Sequence, residues 1–237
     1  MAGREISLPA SMHFMTFLKE GLTYSMKTRN CTFGILGDSY STFQGCVPKG
    51  NRCYYPDPTR VDDVLTAEQT WWHQLMKKRA LDLLMNESFS GATVCEHNRE
   101  GLPEKSSFTK RVIRAFGPEN QEKFELLFLF GCTNDSWLDR EIGELQYENW
   151  SEKDLRQVLP AYCYTIYQLK THNPETTLVA IINTDLKERI REGMIRAGEY
   201  YGIHNVILSD ISKQNGHPDA LGMTQIAEQV DVALNLI

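Results

Sequence analysis

The chain has 237 residues, enough for one sizeable α/β domain, and its 41% apolar and 24% charged residues are the balance of an ordinary soluble globular protein. A formal charge of −6 and the lack of any basic run exclude a non-specific nucleic-acid binder. No stretch approaches the roughly 20 apolar residues of a membrane span, which excludes a membrane-embedded helix.

Residues 1–30 show no clear periodicity and are expected to form an extension ahead of a single domain over 31–237. Arg4, Glu5, Lys19 and Glu20 break up any apolar core near the N-terminus, so no secretory signal is read there and a cytoplasmic protein is expected. The apolar run Phe33-Gly34-Ile35-Leu36 predicts a short buried strand. Gly37-Asp38 then turns the chain sharply and leaves the Ser39 hydroxyl at the strand's C-terminal end. From Phe43 to about Thr66 the chain is rich in Pro, Gly, Tyr and Asp, and prolines 48, 56 and 58 rule out a regular helix. Its tyrosines, Tyr54 and Tyr55 among them, predict an ordered loop that covers something, here the wall of a substrate pocket.

Thr66 followed three residues later by Gln69 has the spacing of a capping box and predicts a helix through Trp71, Trp72, Leu75 and Met76, with the tryptophans in the core. A strand is expected over 81–85, ending in Ser88-Phe89-Ser90-Gly91, then a loop over 92–106 and a helix over 108–116. Residues 124–130 are apolar almost throughout, as a central parallel strand covered on both faces must be, and they end at Gly131-Cys132-Thr133-Asn134-Asp135. Ser151 with Asp154 predicts a helix from 151 to about 171, followed by a strand over 178–182, a helix over 187–201, a strand over 205–208 and a last helix over 218–234 with Pro218 in its first turn. Strands alternating with helices imply a mostly parallel sheet of about five strands with right-handed crossovers, a three-layer α/β/α sandwich.

Cys31, Cys46, Cys53, Cys95, Cys132 and Cys163 include no Cys-x-x-Cys pair and lie at no zinc-ligand spacing from a histidine, so no metal site is expected and the thiols are read as reduced. The informative residues instead gather at three strand ends and just before the final helix. Gly37-Asp38-Ser39, Ser88-Phe89-Ser90-Gly91, Gly131-Cys132-Thr133-Asn134-Asp135 and Gly216-His217-Pro218 would share one edge of a parallel sheet. A serine hydroxyl needs a neighbouring base, which His217 can be, and an oxyanion needs fixed donors, which the N–H groups of Ser39 and Gly91 and the Asn134 amide can be. Each also has an ordinary structural reading: Gly91 as a turn glycine, Asn134-Asp135 as a capped turn in which Asp135 supports the loops, His217 as a helix-start residue. Trp137 is the candidate substrate-facing aromatic. No Gly-x-Gly-x-x-Gly or phosphate loop follows the first strand, which argues against a nucleotide binder.

These positions, in this order, resemble the SGNH (GDSL-type) hydrolases, flavodoxin-like esterases and lipases named for four residues that here are Ser39, Gly91, Asn134 and His217. The resemblance spans about residues 32–234. It implies a serine hydrolase that cleaves carboxylic esters through an acyl-enzyme without a cofactor, acting on small-molecule or carbohydrate esters, with no nucleic-acid or membrane partner. Short acyl esters fit better than long ones, since no amphipathic lid is evident. One position departs from the pattern: the family's aspartate three residues before the histidine is Gln214 here. Asp210, Asp219 in a first helical turn, or a backbone carbonyl near Gln214 are the candidates to orient His217. Gln214 is also the one feature that favours a non-catalytic binding module on the same fold.

Overall fold

Alternation with a period of two explains the core. The structure, a computed structural model, describes residues 30–56, 59 and 63–236, so the expected extension lies almost wholly outside the described residues. Strands β1 (Cys31–Gly37), β2 (Leu81–Ser88), β3 (Leu126–Phe130), β4 (Thr177–Ile182) and β5 (His204–Ile207) form one fully parallel sheet in the order β2-β1-β3-β4-β5. Phe33, Ile35, Phe128, Phe130, Val179 and Ile181 face one side, where they pack with α1 (Trp71–Arg79) and α6 (Ala220–Leu234). Leu36, Leu127, Leu129, Leu178 and Ile182 face the other, against α2 (Phe108–Phe116), α4 (Val158–His172) and α5 (Glu188–Tyr201). Both faces are buried, so the strands read as nearly continuous apolar runs. The result is the expected α/β/α sandwich of five strands. Among the described residues no helix is long and apolar enough to cross a membrane.

The chain runs from β1 outward to β2 and then crosses to β3 on the opposite side of β1. This reversal opens a crevice above the C-terminal ends of β1 and β3, where open α/β sheets bind ligands. Ser39 follows β1, and Asn134 follows β3 on the short helix α3 (Thr133–Trp137).

Two predicted helix starts are corrected. The Thr66–Gln69 capping box forms, but it closes only the 3-10 turn Ala67–Gln69, and α1 begins after Thr70. Likewise Asp154 Oδ2 accepts from the Ser151 N–H at 2.8 Å and hydroxyl at 2.7 Å, bracing the 3-10 turn Asp154–Arg156, while α4 starts at Val158. Pro160 is the reason. It has no N–H to donate and would clash with the carbonyl four residues back, so it is tolerated only in a first turn. The third correction lies at the last helix. Pro218 belongs not to it but to a two-residue strand, β7 (His217–Pro218), which pairs antiparallel with β6 (Lys213–Gln214), and α6 begins after Asp219. Among the described residues no disulfide joins the cysteines, as read.

Candidate active site

Gly37 ends β1 where no side chain fits, since a Cβ there would stand 2.5 Å from Ser88 Oγ and 2.9 Å from Ser41 Cβ. The chain then closes a 3-10 turn, Ser39–Ser41, capped by Asp38, whose Oδ1 accepts from the Tyr40 N–H at 3.1 Å. Burial pushes the Asp38 carboxyl up to about 7, an effect that the Tyr40 bond, the Thr133 hydroxyl and the Arg111 cation only partly offset. The predicted core tryptophans brace the same turn. Trp71 Nε1 donates to Ser41 Oγ and Trp72 Nε1 to the Ser41 carbonyl, both at 3.1 Å.

His217 reaches this turn on the β6–β7 hairpin. Its loop is Asn215-Gly216, with φ of 50° and 76°, the pair of positive angles that a two-residue primed turn demands and that an Asn-Gly dipeptide supplies. The hairpin is held from several sides. Tyr40 Oη donates to the Gly216 carbonyl at 2.5 Å and Tyr55 Oη to the Pro218 carbonyl at 2.6 Å. Lys213 Nζ donates to Asn183 Oδ1, Thr184 Oγ1 and Asp185 Oδ2 at 3.0, 2.8 and 2.5 Å. Asn183-Thr184-Asp185, the polar end of β4, thus anchors the hairpin. Asp219 caps α6, accepting from the Gly222 N–H at 2.8 Å and the Ser212 hydroxyl at 2.7 Å, and so serves the helix start.

Ser39 Oγ and His217 Nε2 are 2.9 Å apart, and His217 Nδ1 lies 3.2 Å from the Asn215 carbonyl. A carbonyl can only accept, so this contact puts the ring proton on Nδ1 and turns the Nε2 lone pair to the serine hydroxyl. The ring stacks on Tyr54, centroids 3.5 Å apart and planes within 8°, and meets the edge of Trp137 at 5.4 Å. Asp210 is not brought to it. It is exposed in a left-handed turn (φ 52°) after β5 and makes neither a hydrogen bond nor an ion pair with His217. Of the candidates, the backbone carbonyl beside Gln214 is the one seen at Nδ1.

Gly91 adopts φ 87°, a left-handed angle that glycine tolerates without strain. Among the described residues, neither its N–H nor that of Ser39 donates to protein. Asn134, 2% exposed, donates one amide proton from Nδ2 to the Ala92 carbonyl at 3.0 Å, which leaves the second free to face the cavity. Asp135 accepts from the N–H groups of Val94 (2.9 and 3.1 Å) and Cys95 (3.2 Å), the loop-supporting part expected of it, and burial raises its carboxyl. Ser39, Gly91, Asn134, His217, Tyr54 and Trp137 all line one cavity of about 320 Å³.

Tyr55 does not line it. Neighbouring residues of an extended chain face opposite ways, and Tyr55 is fully buried behind Tyr54. The cavity instead includes Arg52, Ser90, Arg99 and Asn215, which sequence reading missed. For Asn215 the Asn-Gly dipeptide was an available signal. For the arginines only their place in long loops was.

A family model described as GDSL-like lipase/acylhydrolase matches residues 31–234. A solved structure described as a GDSL-like lipase from Bacteroides uniformis has a TM-score of 0.81 and 37% identity, covering 88% of this chain and 97% of that one. Another so described, from Bacteroides ovatus, has a TM-score of 0.82 and 34% identity, covering 88% and 99%. The structure of a carbohydrate esterase, 14% identical with a TM-score of 0.61 over 90% of this chain and 70% of its own, shares the fold. Comparison with curated proteins returned no match. With the family model spanning nearly all the described residues, and relatives of this identity over almost their whole length, the chain belongs to the GDSL-like lipase/acylhydrolase family and is a hydrolase of ester bonds.

Proposed function

We propose that the protein is a serine esterase for short acyl esters, including those carried on sugars. The observation that carries this reading is the 2.9 Å contact between Ser39 Oγ and His217 Nε2 at the wall of a cavity lined by Gly91 and Asn134. His217 takes the hydroxyl proton as Ser39 attacks the ester carbonyl. The carbonyl π electrons move to oxygen, where the N–H groups of Ser39 and Gly91 and the Asn134 amide meet the new charge. Collapse expels the alcohol, which leaves with the proton from His217, and water repeats the steps on the acyl-enzyme. The Asn215 carbonyl stabilises the imidazolium that forms between the two transfers.

A cavity of about 320 Å³ lies at the small end of ligand pockets and favours short acyl groups over long chains. Trp137, 40% exposed beside His217, offers an indole on which a sugar ring can rest. The test is hydrolysis of acetyl, butyryl and octanoyl esters and of acetylated sugars, with Ser39→Ala in parallel and a serine-directed phosphonate as label. Loss of turnover and of labelling at Ser39 in the variant is expected. Retained esterase activity in Ser39→Ala would refute the nucleophile, and activity confined to octanoyl esters would refute the substrate class.

A further inference from the structure

The catalytic cavity carries positive charge that the acyl-transfer chemistry does not use. Arg52 and Arg99 both line it, and no Asp or Glu does among the described residues, although the chain as a whole is at −6. Three other arginines are paired with carboxylates: Arg79 with Asp231, Arg114 with Glu87 and Arg189 with Glu144. Among the described residues, the guanidinium groups of Arg52 and Arg99 have neither a carboxylate nor a carbonyl acceptor.

Their backbones, in contrast, are anchored. The Arg52 carbonyl accepts from the Ser90 N–H at 2.8 Å, and its neighbour Asn51 donates to Glu87 Oε1 and the Ser88 carbonyl, both at 3.0 Å, so Arg52 is clamped to the end of β2. Arg99 begins a turn closed by its carbonyl and the Leu102 N–H at 3.1 Å. The residue before it, Asn98, accepts from Thr93 Oγ1 at 3.1 Å and from Arg140 Nη2, through its carbonyl, at 2.9 Å. The Arg99 stem runs past Gly91, its Cδ being 3.9 Å from where a Cβ on that glycine would stand. The half-buried Arg99 stem is thus held beside Gly91, in the same cavity as Ser39 and His217.

Resting on the esterase reading above, we infer that Arg52 and Arg99 select esters that carry an anionic group, a carboxylate in the simplest case, close to the scissile bond. Each guanidinium presents a planar fork of donors that matches a carboxylate; Arg99 is half-buried, where such charge-assisted bonds are the strong ones, and Arg52 stands exposed at the rim of the cavity. The anion can belong to the acyl part, as in a hemisuccinate, or to the alcohol part, as in an acetylated uronic acid. The recognition chemistry is the same in both.

The full-length protein separates these sources on two matched pairs: 4-nitrophenyl hemisuccinate against 4-nitrophenyl butyrate, and acetylated glucuronate against acetylated glucose. In one pair or both, kcat/KM should favour the anionic member by about tenfold or more, and that preference should shrink at high salt. In Arg52→Gln and Arg99→Gln the ratio of anionic to neutral kcat/KM should fall by about tenfold, with Arg99→Lys recovering part of it. Equal or lower kcat/KM for the anionic member of both pairs, or a ratio unchanged in both glutamine variants, would overturn the inference. The neutral esters and Ser39→Ala report on the esterase reading separately. If no ester were hydrolysed, calorimetry with succinate and glucuronate would decide the arginines' part: binding that is lost in Arg99→Gln supports it, and no binding to the wild type overturns it.

Discussion

Replacing Asn134 with alanine removes one group with two attachments, and the structure assigns a magnitude to each. The amide lines the catalytic cavity, where its free proton can meet the oxyanion, and removing one such donor costs about 10²–10³-fold in kcat, or about 2.7–4 kcal/mol of transition-state stabilisation. Its other proton is bonded at 3.0 Å to the carbonyl of Ala92, itself 1% exposed and left without that partner in the variant. An orphaned buried acceptor costs about 1–3 kcal/mol, which for a domain of this size lowers Tm by roughly 2–12 °C. The two effects separate by assay. Steady-state kinetics on a 4-nitrophenyl ester should show kcat falling with KM nearly unchanged, because the lost bond forms only as charge develops, while a thermal melt reads the structural part. Asn134→Asp keeps the shape but sets an acceptor against both the Ala92 carbonyl and the oxyanion, so it should lose at least as much in both measurements. A variant that melts lower yet keeps kcat within about fivefold of wild type would refute the oxyanion assignment and leave Asn134 as a clamp on the Ala92 loop.

Three further outcomes are expected. Gly91→Ala should lower kcat by moving the oxyanion donor, because alanine at φ 87° costs on the order of 1–3 kcal/mol and its Cβ would meet Leu102 Cδ1 at 3.2 Å; wild-type kcat would refute this. Tyr40→Phe leaves Ser39 and His217 in place but unties the Gly216 carbonyl from the nucleophile turn, which should cost about 1–2 kcal/mol in a melt and also reduce kcat. Equal stability and turnover would show that the hydroxyl does not set the hairpin. Asp38 titrates at about 7 in the folded protein against an ordinary value of 3.8, so between these values the folded state holds more of its proton and stability falls as pH rises. Asp38→Asn should flatten that decline in denaturant melts between acid and neutral pH, and an unchanged slope would refute the assignment.

The parallel core was legible because both sheet faces are buried, which makes Phe33 to Leu36 and Leu126 to Phe130 continuous apolar runs whatever their partners. Ser39, Gly91 and Asn134, which follow β1, β2 and β3, were legible for a related reason. Small polar residues directly after buried strands must lie at one sheet edge, and the β1–β3 reversal brings Ser39 and Asn134 together there. Helix starts were less so. The Thr66–Gln69 and Ser151–Asp154 patterns record a single satisfied turn and say nothing about whether a helix continues, and Pro160 needed weighing against the second.

Local chemistry in the sequence thus determined the strands, their polar ends and the types of group available for acyl transfer. Tertiary structure decided which groups meet. His217 Nδ1 faces the Asn215 carbonyl and not Asp210, because a backbone acceptor has no side-chain signature and is placed by the β6–β7 turn alone. Tyr54 faces the cavity and Tyr55 the core because adjacent side chains diverge, and only the path of the loop settles which way each goes. The availability of Arg52 and Arg99 depends on every acceptor that folding brings near them, a property of the assembled surface that no stretch of sequence contains.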